Sequence, residues 1–140
     1  SESEDRIIME RINESSENYL ESILILEQRN PSVRMSDIAA MLHVSKPSVN
    51  KAMGVLKDAG YIHQEVYGTI HLTESGRHYA QKVYSRHVLF KRFLMEVLEI
   101  DEQTAEEDAC HMEHCVSDAT MDKLRIFLTE ALERSDQKQK

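Results

Sequence analysis

Residues 108–118 read Asp-Ala-Cys-His-Met-Glu-His-Cys-Val-Ser-Asp, and within them Cys110, Glu113 and His114 stand at i, i+3 and i+4. A thiol, a carboxylate and an imidazole at that spacing leave one face of a helix, because a helix has about 3.6 residues per turn. Together they are the donor set of a transition-metal site. With Cys110 at 0° and roughly 100° per residue, Glu106 falls at about −40°, Glu107 at about +60°, Glu113 at about −60° and His114 at about +40°. The opposite side carries Ala105, Ala109, Met112, Val116 and Ala119. The spacing therefore predicts a helix that packs by its back and shows a ligand stripe in front. A solvated acidic face would account for the glutamates. It accounts poorly for Cys110, since a free cysteine is usually buried. His111 and Cys115 point elsewhere and read as a surface histidine and a core cysteine. Asn18 with Glu21 (i, i+3) and, separately, His87 could supply further ligands, with ordinary surface polarity as the other reading of each.

The elements that must position these residues are mostly helices. The chain of 140 residues has Gly 4 and Pro 2, so long helices with few turns are expected. Ile7, Ile8, Ile12, Tyr19, Ile23, Leu24 and Leu26 give a helical period over 5–29, ended by Asn30-Pro31. Ser36-Asp37 caps a short helix with Ile38, Ala39, Met41 and Leu42; His43-Val44 forms a turn. Ser45 N-caps a second helix with Pro47 in its first turn, an inner face of Val49, Met53 and Leu56, and a stop at Gly60. Residues 61–72 bracket Gly68 with β-branched and aromatic residues, which predicts a short hairpin. A long helix follows from Thr73-Glu-Ser-Gly76 to about Leu98 and breaks at Ile100-Asp101. Thr104 is expected to cap the helix of the opening motif, and a last helix runs from about Ala119 to Leu132. The tail 136–140 is expected to be disordered.

A helix, a turn, a second helix and a hairpin predict a winged helix-turn-helix. The second helix would enter the major groove by its N-terminal end, with Ser45, Lys46, Pro47, Ser48, Asn50 and Lys51 facing outward. Lysine bonds guanine acceptors or phosphate, asparagine pairs bidentately with adenine, and the helix N-terminus favours phosphate. Arg34 and Lys57 are placed for backbone contact, and Tyr67 and Thr69 for the flanking groove. The net charge of −8 argues against nucleic acid until it is divided. Residues 34–94 hold nine basic and four acidic residues, net +5, while 1–33 are net −5 and 95–140 net −8. Phosphate meets that local charge rather than the total. Cys110 and Cys115, five apart, fall on different helix faces, so a disulfide between them is not expected and a reducing cytoplasm is the natural setting. No apolar run reaches membrane-spanning length and the N-terminus does not read as a secretory signal. No His-Glu-x-x-His stretch occurs, so an enzyme using Glu113 as a general base beside an ion is not expected.

From Glu17 to about Leu132 the chain resembles the diphtheria-toxin-repressor family of metal-dependent transcriptional repressors, including its manganese-transport-regulator branch. The resemblance rests on Glu17-Asn-Tyr-Leu-Glu-Ser-Ile23, on Ser36 to Val49, on Leu72-Thr-Glu-Ser-Gly76, on Arg86-His87 and on Glu107 to Asp118. It implies Cys110, Glu113 and His114 as principal metal ligands. Glu21 and His87 match ligands of the manganese branch, Asn18 stands at another ligand position, and Glu106 stands where the iron branch has an ancillary histidine. Lys91 replaces an ancillary glutamate, which speaks against a complete second site of the iron type. At this length it implies the two-domain form, without the SH3-like third domain of the iron branch. The expectation is a mainly α protein: a winged helix-turn-helix DNA-binding domain over 1–75, then a helical metal-binding and dimerisation domain over 76–140. Dimerisation would use Val97, Leu98, Met112, Leu124 and Phe127. Function would be repression of metal-homeostasis genes by a homodimer on a palindromic operator. A thiolate, an imidazole and carboxylates suit Fe(II), Co(II), Ni(II) or Zn(II) better than Mn(II). With cellular availability deciding against zinc, Fe(II) is favoured and Mn(II) stands second. The alternatives are a metal-independent winged-helix regulator with a vestigial site, and a protein-interaction module.

Overall fold

The computed structural model describes the backbone of residues 12–139 and side chains through residue 134. It contains α1 (Glu14–Arg29), α2 (Met35–Leu42), α3 (Lys46–Asp58), β1 (Ile62–Gln64), β2 (Ile70–Leu72), α4 (Glu74–Arg92), a π-helical turn (Phe93–Val97), α5 (Glu102–Met112) and α6 (Asp118–Gln139). This is the mainly α architecture expected, a winged helix-turn-helix followed by helices. The chain divides into two compact units between Ala80 and Gln81, inside α4.

In the first unit α1 begins at Asn13, whose side chain accepts from Ser16 N–H. The expected start at residue 5, with Ile7 and Ile8, lies outside the described residues. Leu20 and Ile23 of α1, Ile38 of α2, and Val49 and Leu56 of α3 are fully buried, and Ile70 of the hairpin joins them. α2 is capped at Arg34, whose backbone N–H donates to Asp37 Oδ2 at 2.9 Å, rather than at Ser36. His43 ends α2 at φ 55, a left-handed position that a β-branched residue could not hold cheaply. Ser45 caps α3 by accepting from Ser48 N–H. At the other end Gly60 (φ 81) donates to Lys57 O and Tyr61 donates to Leu56 O, which is a Schellman stop. The strands pair antiparallel with His63 opposite His71, and Gly68 (φ 89) turns the hairpin.

The junction after the hairpin is tight. Thr73 N–H donates to Tyr61 O, its hydroxyl donates to Gly60 O at 2.7 Å, and Gly76 N–H donates back to that hydroxyl. These bonds press the first turn of α4 onto residues 60–61. A Cβ at Gly76 would lie 1.9 Å from Tyr61 O and 2.7 Å from its carbonyl carbon. The motif Thr73-Glu-Ser-Gly76 is therefore a packing joint between wing and helix. One buried polar link adds to it: Tyr79 Oη donates to Glu17 Oε2 at 2.5 Å, with Glu17 1% exposed.

In the second unit Leu89, Phe90, Ala109, Met121 and Leu128 form the core, and Val97, Met112, Val116, Leu124 and Leu132 pack against it. Asp101, rather than Thr104, caps α5: its side chain accepts from Thr104 N–H at 3.1 Å. The long helix does not stay regular to Leu98, because Phe93–Val97 widen to a π turn before Glu99 adopts φ 58. Arg86 is buried and donates to Asp118 Oδ1 at 2.7 Å, and Lys82 reaches Oδ2 at 3.0 Å, so the start of α6 is tied to α4 by two cations on one carboxylate. The segment 136–139, expected to be disordered, continues α6. Among the described residues no helix is long and apolar enough to cross a membrane.

Gly76→Ala should destabilise the chain by at least the ~3 kcal/mol of a severe overpacking change, because backbone must move. Gly54→Ala is the control: nothing lies within 4 Å of its added Cβ. It should stabilise by up to ~1 kcal/mol, since the glycine sits inside a helix. Urea unfolding of both variants checks the opposite signs, and a Gly76→Ala midpoint equal to wild type refutes the joint.

Candidate metal centre and nucleic-acid interface

The metal-type cluster of the second unit is built around His87. This residue sits on α4 one residue after buried Arg86, and its own ring is buried. α5 approaches by its small residues, since Ala105 and Ala109 are both 0% exposed. That approach places Glu106 and Cys110, one turn apart on α5, against the ring. His87 Nε2 lies 2.9 Å from Glu106 Oε1, and Nδ1 lies 3.0 Å from Glu113 Oε2 and 3.7 Å from Cys110 Sγ. Donor atoms of His87, Glu106 and Cys110 fall within 4.8 Å of one another. α5 ends at Met112, with Glu113 at its C-cap still in αR geometry, so the i, i+3 spacing survives the helix end. His114 Nε2 lies 3.1 Å from Glu113 Oε1.

Glu113 touches His114 and shares the Nδ1 edge of His87 with Cys110, but the three do not form an open stripe. Glu113 is 0% exposed and His114 is buried, while Cys110 is partly exposed. The helix wheel tells which residues share a direction. It does not tell whether another helix covers them. His111 is exposed as expected; Cys115 is exposed rather than part of the core. On α1, Glu21 is buried and Asn18 is exposed.

The electrostatics follow from this packing. The Cys110 and Glu113 hydrogen bonds, with their negative charge, outweigh burial and push the His87 imidazole up to about 11. Burial would raise the Glu106 carboxyl, but the Lys91 hydrogen bond and the His87 charge hold it below the usual carboxylate range. Lys91 Nζ lies 2.9 Å from Glu106 Oε2, which in turn holds the ammonium above its usual range. A proton on His87 balances the buried negative charge of this cluster. Remove that proton, and nitrogen, sulfur and carboxylate oxygen are left around one point. This donor set fits a divalent transition ion.

At the reading head Ser45, Lys46, Pro47, Ser48, Asn50 and Lys51 are all exposed at the N-terminal end of α3, as expected. Ser45 and Ser48 spend part of their capacity on each other, Oγ to Oγ 2.9 Å. Arg34 is exposed, yet its Nη1 donates to Tyr67 O at 3.0 Å, so it also holds the wing tip. Tyr67 is 83% exposed beside Val66 at 97%, whereas Thr69 is buried and is not available at the tip. Sequence reasoning missed the Glu17–Tyr79 bond. The signal was a glutamate one helical turn before Glu21 on the apolar side of α1, but its partner stands 62 residues away.

Two family models match the chain in succession. The family model "Iron dependent repressor, N-terminal DNA binding domain" matches residues 11–70, and "Iron dependent repressor, metal binding and dimerisation domain" matches residues 73–139. An HTH-type transcriptional regulator from Methanocaldococcus jannaschii is 36% identical over 118 residues, covering 84% of this chain and 94% of that protein. The transcriptional regulator MntR of Escherichia coli O157:H7 is 36% identical over 111 residues, 79% of this chain and 71% of its own. Among solved structures, the manganese regulator SloR superposes with a TM-score of 0.74 at 30% identity, covering 81% of this chain. The chain spans about half the length of that protein, 53%. With both family models matched in order and relatives above 30% identity along most of its length, the chain belongs to the iron-dependent repressor family.

Proposed function

We propose that the chain is a metal-activated repressor that binds a palindromic operator as a homodimer in the cytoplasm, with Fe(II) favoured and Mn(II) second. The observation that carries this is the His87 cluster: a buried imidazole with Cys110 and Glu113 on one nitrogen and Glu106 on the other. In the proposed site Cys110, Glu113 and His114 are the principal ligands and His87 joins them; Glu21 and Asn18 complete the set that the family resemblance supplies, and Glu106 stands at the ancillary position on the other edge of His87. The sulfur supports Fe(II), since Mn(II) prefers oxygen donors. The names of the relatives support Mn(II). Both ions therefore enter the test.

The proposed operator contacts are Lys46, Asn50 and Lys51 to base edges, and Ser45, Ser48, Pro47 and Arg34 to the backbone or its approach. Leu98 at 52% and Phe127 at 45% exposure support an apolar partner surface on the second unit. Val97, Met112 and Leu124 contribute less, since they pack on their own core. A bound ion activates only by favouring the DNA-competent arrangement over the others.

Anaerobic titration with Fe(II) or Mn(II) should raise operator affinity by at least the ~100-fold that strong coupling allows, and a chelator should reverse it. Affinity that ignores both metal and chelator sinks the proposal. Cys110→Ala, and separately Glu113→Gln, should weaken metal binding more than the ~100-fold reached by outer-shell changes while leaving helix content unaltered. Operator binding at the wild-type metal midpoint by both variants would remove these residues from the site.

The pH dependence has a definite sign. His87 holds its proton up to about 11 in the metal-free chain, and a metal ligand must be neutral imidazole. Binding therefore displaces a proton throughout the neutral range. Metal affinity should rise about tenfold per pH unit for each displaced proton, and activation should fade toward acid. Calorimetry in buffers of different ionisation enthalpy checks this; metal binding that releases no proton near neutrality contradicts it.

A further inference from the structure

The carboxylate of Glu106 is shared by two cationic side chains. Its Oε1 lies 2.9 Å from His87 Nε2, and its Oε2 lies 2.9 Å from Lys91 Nζ. Lys91 stands one turn beyond His87 on α4, and also reaches Glu102 Oε1 at 3.6 Å, one turn before Glu106 on α5. The helix period thus lines up two pairs across α4 and α5, and an ammonium is held against the outer edge of the His87–Glu106–Cys110 group. The two edges of His87 differ accordingly. On the Nδ1 edge there are a thiol and a carboxylate that is 0% exposed. On the Nε2 edge the only carboxylate named among the described contacts already carries a lysine. A divalent ion seated there would stand a few ångströms from the Lys91 ammonium, whose side chain is 29% exposed.

We propose that Lys91 is a tethered cation that fills the Glu106 side of the cluster, so that each chain takes one activating ion on the Cys110–Glu113–His114 side and no second ion on Glu106. This rests on the metal-site reading above and deepens it: it concerns how many ions that site takes and what sets the number. The chemical class excluded from the Glu106 side is any divalent metal ion, because the exclusion is electrostatic rather than a matter of donor softness. Removing the ammonium frees a carboxylate oxygen one helical turn from His87 Nε2. Replacing it by a carboxylate adds a third donor at the position from which Lys91 now reaches Glu106. The alternative is that Lys91–Glu106 is an ordinary surface pair, whose loss leaves the number of bound ions unchanged.

The experiment counts ions. The full chain is titrated anaerobically with Mn(II) and with Co(II) in a calorimeter, and bound metal is measured after gel filtration. Co(II) adds a second readout, since only an ion on Cys110 shows a thiolate-to-metal charge-transfer band. Wild type should bind one Co(II) per chain and show that band. Lys91→Glu should gain one additional ion without strengthening the band, and Lys91→Met should gain the same ion with weaker affinity than Lys91→Glu. Wild type binding two ions, or Lys91→Glu binding only one, overturns the proposal. Cys110→Ala separates the two readings. If it loses its ion and its band while Lys91→Glu still binds one ion, only the role of Lys91 fails. If Cys110→Ala keeps its ion, or wild type takes up none, the metal-site reading fails and this inference falls with it.

Discussion

Both ring nitrogens of His87 are committed, one to Glu113 and Cys110 and the other to Glu106, and the second unit is organised by that constraint. A carboxylate with 0% exposure is tolerable only if its oxygens are met, because an isolated buried charge costs several kcal/mol. Glu113 is met by His87 on one oxygen and His114 on the other. For the imidazole to reach, α5 must lie close to α4, and Ala105 and Ala109 have no bulk to prevent it. The helix must also end where it does. Glu113 is the C-cap, so its carboxylate leaves from the last turn while its backbone N–H still bonds to Ala109 O. The apolar core of Leu89, Phe90, Met121 and Leu128 supplies the burial energy, but it would accept many registers. The polar cluster accepts few, since each misplacement strands a charge.

The first unit is held by a different device, direct backbone contact. Gly60, Tyr61, Thr73 and Gly76 bring the end of α3, the wing and the start of α4 within bonding distance, with only the Thr73 hydroxyl between the backbones. Arg34 then fastens the wing tip from the α2 side by its bond to Tyr67 O. Ser45 to Lys51 project from a helix whose two ends are both capped, and if they contact DNA as proposed, that capping lowers the ordering entropy that opposes binding.

Periodicity made some of this legible in the sequence and left the rest unreadable. Cys110, Glu113 and His114 were visible because i, i+3, i+4 is a property of the helix alone; the αR C-cap keeps Glu113 in that spacing, whereas His114 lies in the turn beyond Met112. Their burial was not visible, because it depends on which helix lies over them. The same limit made Cys115 look like a core residue and Thr69 a wing-tip residue; burial reverses both. Caps were legible where one candidate stood alone, as at Ser45, and misplaced where two competed. Asp101 won over Thr104 and Arg34–Asp37 over Ser36, in each case through a carboxylate accepting a backbone N–H three residues away. The turn at His43 was read correctly although glycine is absent, because the flanking helices leave no other route. Glu17–Tyr79 and Lys91–Glu106 join residues on different elements, and no local period encodes such pairs.

The His87 cluster also limits what the identity of the ion can mean. Donor softness and the names of the relatives pull toward different metals, yet both metals meet the same electrostatic surroundings. In the metal-free chain the carboxylates of Glu106 and Glu113 face the cations of His87 and Lys91. Exchanging the His87 proton for any divalent ion would raise the charge of the cluster by one unit, and loss of the Cys110 proton on ligation would cancel that gain. The stretch 95–140 carries a net charge of −8, which favours uptake of every divalent ion alike. Selection among metals must then come from geometry and from the sulfur of Cys110, the donor that distinguishes a borderline ion from a hard one. In the proposed site the carboxylates would supply the appetite for divalent charge, and the cysteine the preference.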